Sequence, residues 1–171
     1  MTATYSLISS QVLSSTTVLV TFSSLPTTYT DLKLVCSVRD AGSGGSAQTG
    51  FYLSINSGGN SISTETFQGN GSSAIAQHAS ATSAPLVAQM NGNTSTGSIF
   101  SNIECYFPNY NSSTPQPIYT FGAQENASSA AYLLGTASLC GSGPITAIAA
   151  YDPATGFASG SSFYLYGIKN S

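Results

Sequence analysis

Ser161-Ser162-Phe163-Tyr164-Leu165-Tyr166-Gly167-Ile168-Lys169 closes the chain on its most strongly β-forming stretch. Side chains alternate along a strand, so Phe163 and Leu165 share one face while Tyr164 and Tyr166 share the other. Aromatic and branched residues suit a pleated surface packed on at least one side. Such a segment ties the end of the chain into a sheet, as an edge or a central strand. Gly167 would let the strand bend or let another backbone come close. The same alternation is cleanest at Leu32, Leu34, Cys36 and Val38, with Lys33, Val35, Ser37 and Arg39 on the opposite face. That pattern predicts a half-buried antiparallel strand with two cations on a solvated side.

Working outward, strands are predicted over residues 5–13, 17–22, 51–55, 62–68 and 86–90, then 98–107, 118–125, 131–139, 145–151 and 161–169. Between them stand Leu25-Pro26, Asn56-Ser57-Gly58-Gly59-Asn60, Gly69-Asn70-Gly71-Ser72, Pro108-Asn109, Asn126-Ala127-Ser128, Gly141-Ser142-Gly143-Pro144 and Asp152-Pro153. These are turn and breaker sequences. Residues 40–50 read as a flexible loop. Residues 72–84 are small and polar with no clear period. They read as a long loop, a short helix around Ala74 to Ala79 or an irregular edge, and a loop of this length often serves as a contact surface. Turn signals every roughly 8–15 residues, without an amphipathic helix, predict an all-β antiparallel sandwich of about nine to eleven strands. With that many strands the expected closure is jelly-roll-like.

A length of 171 residues fits one domain, residues 1–171. Hydrophobic residues make up 41% of the chain and charged residues only 5%, where soluble domains average about 25%. A surface this neutral is built of Ser, Thr, Asn, Gln and Gly and repels copies of itself little. It suits life in an assembly or outside a cell. Lys33, Arg39 and Lys169 are the only cations, too few to neutralise a phosphate backbone, so nucleic-acid binding is excluded. No run is long and apolar enough for a membrane helix, and the opening residues carry neither a charged nor an apolar leader region. The expectation is therefore no membrane and no secretory signal. Cys36, Cys105 and Cys140 match no zinc spacing and read as buried free thiols. Asn70, Asn93, Asn111 and Asn126 head Asn-x-Ser sequons, which a chain this rich in Asn and Ser produces by chance.

No constellation for chemistry stands out. His78, the single histidine, has no acid within five residues, and a catalytic base needs an orienting carboxylate and a placed nucleophile. A solvated loop histidine is the expectation. Glu104 and Glu125 sit on neighbouring predicted strands, where a glycosidase pair would have to lie about 5–9 Å apart; two solvent-facing carboxylates are the simpler reading. Asp152-Pro153 followed by Gly156 lacks the acid density of a calcium loop and reads as a tight turn. The expectation is no catalytic residue, no cofactor site and no metal site. Tyr52, Tyr106, Tyr110, Tyr119, Tyr132, Tyr164 and Tyr166 include several that point away from the aliphatic face. They suit an interface or second core, and also a platform for a sugar ring.

Leu25-Pro26-Thr27-Thr28-Tyr29-Thr30-Asp31-Leu32, Val38-Arg39, Ile55-Asn56-Ser57, Gly69-Asn70-Gly71-Ser72, Tyr106-Phe107-Pro108-Asn109-Tyr110 and Phe163-Tyr164-Leu165-Tyr166-Gly167-Ile168-Lys169 occur in an order that resembles a family of small virion proteins of tailed bacteriophages. The likeness spans almost the whole chain, with Phe107 where the family has a small aliphatic residue before Pro108. It implies a virion structural protein and not an enzyme. The expected role is a capsid decoration (cement) protein, self-associated as a homotrimer and bound to the major capsid protein. A tail or fibre part, a receptor-binding domain and a glycan-binding module are the alternatives. The resemblance implies location in the virion, assembled in the bacterial cytoplasm, and carries over no catalytic residues.

Overall fold

The computed structural model describes residues 4–42, 45–59, 61–125 and 131–169. Its strands are β1 (Tyr5–Val12), β2 (Leu19–Ser23), β3 (Asp31–Val38), β4 (Gln48–Ile55), β5 (Ile62–Gly69) and β6 (Ala74–Thr82), then β7 (Leu86–Asn91), β8 (Ser101–Phe107), β9 (Gln116–Glu125), β10 (Ala131–Cys140), β11 (Ala147–Tyr151) and β12 (Ser162–Ile168). They form two antiparallel sheets, one of eight strands ordered β1-β12-β3-β8-β9-β10-β5-β6 and one of four ordered β2-β11-β4-β7. The predicted sandwich is present. Without β5, β6, β9 and β10 the sheets read β1-β12-β3-β8 and β2-β11-β4-β7. That is the first-with-last wrapping of a jelly roll, with β1 on β12, β2 on β11, β3 on β8 and β4 on β7. Two hairpins, β5–β6 and β9–β10, are inserted into this frame, and both widen the same sheet.

Period-two alternation builds the core. Leu32, Leu34, Cys36 and Val38 of β3 all point inward, as do Ile103, Cys105 and Phe107 of β8 and Phe163 and Leu165 of β12. Phe51, Leu53 and Ile55 of β4, with Ile148 and Ala150 of β11, close it from the small sheet. Phe157, in the loop before β12, stacks between the sheets, its ring 5.8 Å from Phe51 and 5.0 Å from Phe163. β7, the margin of the small sheet, crosses β8, β9 and β10. There Gly122 permits a close approach, since a Cβ at that position would lie 3.2 Å from the Cβ of Ala88. On β5 and β10 the inward positions become mixed: Thr64, Thr66, Thr136 and Ser138 are buried beside Ile62, Leu134 and Cys140.

Several expectations are corrected. Twelve strands stand among the described residues instead of nine to eleven, because residues 72–84, read as aperiodic, contain β6. β6 is exposed on both faces over Ala74–His78, so no burial pattern shaped its sequence. β4 begins at Gln48, inside the stretch read as a loop. Ile99, expected to point into the core, precedes β8 and is 42% exposed. Arg39 does not face open solvent; its guanidinium donates to Ser95 Oγ and to the carbonyls of Thr96 and Ile99, each at 2.9 Å, and so staples the loop before β8. The closing strand, β12, is not an edge, for it lies between β1 and β3. Gly167 receives a side chain rather than a backbone: a Cβ there would run into the ring of Tyr29. Tyr110 and Tyr132 point inward and are buried, with the Tyr110 hydroxyl donating to the Pro26 carbonyl. Asn126-Ala127-Ser128 lies outside the described residues.

At one end of the sandwich Asp40 and Asp152 are buried together. The Ala154 amide donates to Asp152 Oδ1 at 3.0 Å, and the Thr155 hydroxyl donates to Asp40 Oδ1. Burial raises the pKa of Asp152, and the neighbouring carboxylate of Asp40 raises it further. A carboxyl that holds its proton more tightly folded than unfolded contributes stability below the ordinary carboxylate range. That contribution is lost as pH rises through the raised value. The expected outcome is a thermal midpoint that falls over this window in the native chain and is flatter in Asp152→Asn. Phe157→Ala, which empties the space between two other rings, is expected to cost about 3–5 kcal/mol, read as a lower urea midpoint with an unchanged slope.

Candidate functional site

The outward face of the eight-stranded sheet is the broadest surface of the fold, and its composition follows from the register. One transverse row crosses every strand: Leu7, Tyr166, Lys33, Tyr106, Tyr119, Ala137, Glu65 and His78 are successive cross-strand partners. The next row runs Ser10, Tyr164, Val35, Glu104, Phe121, Gly135, Phe67 and Ala76. Tyr5, Leu7, Phe67, Tyr119, Phe121 and Leu139 are each half or more exposed on this side. Phe121 lies against the missing side chain of Gly135, to which its ring carbons would come within 3.7 Å of a Cβ. The result is an aromatic band across the middle of the sheet.

Polar contacts hold that band in place. Tyr106 and Tyr119 stack with ring centroids 5.3 Å apart and planes inclined by 24°. The Tyr106 hydroxyl donates to Asp31 Oδ2 at 2.6 Å, and Asp31 Oδ1 accepts the Asn109 amide at 2.8 Å. Donating to a carboxylate holds the proton on Tyr106, whose pKa is pushed up to about 12, with burial adding to the effect. Lys33 Nζ meets Glu104 Oε2 at 2.8 Å. That contact raises the Lys33 pKa against the smaller opposing effect of burial. Glu65 Oε1 meets His78 Nδ1 at 2.6 Å. On this face Lys33 and Glu104 thus form an ion pair, and Glu65 is hydrogen-bonded to His78.

The structure answers each chemical candidate in turn. His78 is not an isolated loop residue: β5 and β6 place it opposite Glu65. The register follows from the four-residue loop Asn70–Ser73, which brings Gly69 against Ala74 and therefore residue 65 against residue 78. Both side chains border a shallow depression of about 280 Å³, walled by Ser63, Pro117, Ala137 and Leu139. The imidazole and its carboxylate are oriented, yet both are more than half exposed, and no contact joins His78 to a nucleophile among the described hydrogen bonds. Glu104 faces Phe121 across β8 and β9, so Glu125 lies four residues further along β9. That offset is on the order of 13 Å at about 3.3 Å per residue, beyond a glycosidase spacing. Each acid is otherwise engaged: Glu125 accepts from the Thr96 amide at 2.6 Å, and Glu104 holds Lys33. No group of three or more His, Cys, Asp or Glu is placed to hold a metal among the described residues.

Cys36 and Cys105 are fully buried thiols on the core side of β3 and β8. Burial pushes both up, Cys105 to about 12. Cys140 is buried at the end of β10. Asn70 caps its own turn, accepting the Ser72 and Ser73 amides at 2.9 and 2.8 Å; the sequon at Asn126 lies outside the described residues. Of the tyrosines expected on an outer surface, Tyr106, Tyr119, Tyr164 and Tyr166 share the face described above. Tyr52 instead pairs edge-to-face with Tyr151 on the small sheet, at 6.4 Å. No helix is long and apolar enough to cross a membrane among the described residues. Comparison with protein-family models, with curated proteins and with solved structures gave no match.

Proposed function

We propose that this chain is a structural protein of a bacteriophage virion, a capsid decoration subunit that docks as a homotrimer on the major capsid lattice. One observation carries the reading. The eight-stranded sheet presents a wide face of exposed Phe67, Tyr119, Phe121, Leu139, Tyr5 and Leu7, on which Lys33 pairs with Glu104 and Glu65 is hydrogen-bonded to His78. Apolar residues grouped on one surface mark protein contact, and tyrosine and phenylalanine are enriched where such contacts desolvate. The ordered resemblance of the sequence to phage virion proteins supplies the setting. A closed cyclic trimer would suit a three-fold position of a capsid. On this reading the protein works by burial, and no reaction is assigned to it.

A second reading has its own observation. The stacked Tyr106–Tyr119 pair beside exposed Phe121 forms a platform of the kind that packs against a sugar ring. That geometry would serve a fibre or receptor-binding domain, or a carbohydrate-binding module. Copy number separates the two readings. Purified particles analysed by quantitative mass spectrometry are expected to contain the chain in the hundreds of copies; absence from particles, or glycan-array binding by a monomer, refutes the decoration role. Replacing both Phe67 and Phe121 by Ser is expected to leave the circular dichroism spectrum unchanged. Each change is expected to weaken self-association or capsid docking by about 2 kcal/mol, about 30-fold, measured by light scattering and by particle occupancy.

A further inference from the structure

We propose that β6 is a self-recognition edge, through which two copies pair β6 with β6, antiparallel about a two-fold axis, into one continuous sheet. This contact is separate from the aromatic face and does not depend on the virion reading.

The four sheet edges are not alike. β1 breaks register between Leu7 and Ser9. β2 has five residues, and the Gln11 side-chain amide donates to its Thr21 carbonyl at 3.2 Å. β7 is short and is closed at its end, where the Asn91 carbonyl accepts the Asp40 amide at 2.9 Å and its amide donates to Ser101 Oγ at 2.7 Å. Irregularity, brevity and capping are the usual ways of blunting an edge. β6 also shifts register, between Ala79 and Thr82, but before that it offers six residues in regular pairing with β5, Ala74 to Ala79, in a nine-residue strand without proline or lysine. Its one ionisable side chain, His78, is held by Glu65 of the same copy. The strand also stands beyond the margin of the small sheet, exposed on both faces over Ala74–His78.

A second copy fits this edge better than a foreign strand. The hollows beside β6 gather at Gln77, His78 and Ala79. At Ala74 and Ala76 the edge offers small side chains and its backbone, whereas augmentation by a foreign strand gains its specificity from side-chain pockets along the strand. An antiparallel edge is complementary to itself, because the two-fold sets each outward N–H against an outward C=O. The small side chains let the strands approach, and the one ionisable side chain of the strand, His78, is already hydrogen-bonded to Glu65 of its own copy. The outer face continues across the join, with Phe67 one strand away from the seam on each side.

The two-fold makes a geometric demand. Residues opposite each other in an antiparallel pair point to the same side of the sheet. A two-fold normal to the sheet keeps outer faces outer, so the axis must pass through one residue of β6, which meets its own copy. Variants of the full chain that each add one cysteine, at a position from 74 to 80, oxidised under native conditions with the three native cysteines buried, test this. The expected result is a covalent dimer at one position, falling away at its neighbours. Sedimentation of the unmodified chain across a dilution series is expected to show the dimer. Gln77→Lys, on the exposed edge, is expected to raise its dissociation constant at least tenfold with the fold retained.

A monomer at all concentrations, or cross-linking at no position, overturns the proposal. An oligomer that survives Gln77→Lys but falls apart with Ser at Phe67 and Phe121 overturns it too, while leaving the face reading standing. A β6 dimer absent from particles leaves the edge standing and removes the virion role.

Discussion

The unequal width of the two sheets is the constraint from which the rest of this structure follows. A jelly roll wraps eight strands into two layers of equal size, each hiding the apolar face of the other. Here both inserted hairpins, β5–β6 and β9–β10, join one layer only. The small sheet ends at β7, over β8 to β10, and the inward side chains change character at that border. Under the small sheet they are Leu, Ile, Val and Phe. Past it Thr64, Thr66, Thr136 and Ser138 join Ile62, Leu134 and Cys140, and their short side chains ask for no deep apolar layer.

Widening one layer enlarges its outward face in the same measure, and that face is where exposed aromatic residues collect. Tyr119 and Phe121 come from β9, Phe67 from β5 and Leu139 from β10, so the inserted strands supply most of the band. Tyr106, on the jelly-roll frame, is stacked against Tyr119 and anchored to Asp31. The frame therefore sets the position of the band and the insertions give it area. Asp31 links this face to the loop after β8 through the Asn109 amide, so the orientation of Tyr106 is fixed by backbone as well as by its ring neighbour.

Much of this was legible in the residues, for a physical reason. β3, β8 and β12 are covered on one face by the core, and burial on one side writes a period of two into a strand. Leu32 to Val38 shows it without a break. β6 was illegible because the same cause was missing: a strand exposed on both faces needs only small residues that do not oppose extension. The Glu65–His78 contact depends on the loop length: a two-residue turn at Asn70-Gly71 would set Glu65 against Ala76, and the four-residue loop Asn70–Ser73 sets it against His78. Asp40 with Asp152 was not legible, since loops from distant parts of the chain bring them together and neither residue carries a local signal. Tyr110 and Tyr132 illustrate a further limit. Tyrosine suits both an interior with a hydrogen-bond partner and a wet interface, and only the strand register decides which.

The low charge of the chain acquires a physical meaning on this face. Burying an ion costs several kcal/mol even after relaxation, and an exposed pair returns about 0–1 kcal/mol. A surface rich in lysine and glutamate would therefore resist desolvation over any large area. On the wide sheet the ionised groups are few, and Lys33 with Glu104 and Glu65 with His78 stand in contact across adjacent strands. Covering such a face displaces water from aromatic rings, hydroxyls, the Lys33–Glu104 ion pair and a carboxylate already hydrogen-bonded to His78. The price of that arrangement is weak electrostatic protection against self-association. In a chain whose long edge strand is also unblunted, this protection is missing at the place where other proteins add it.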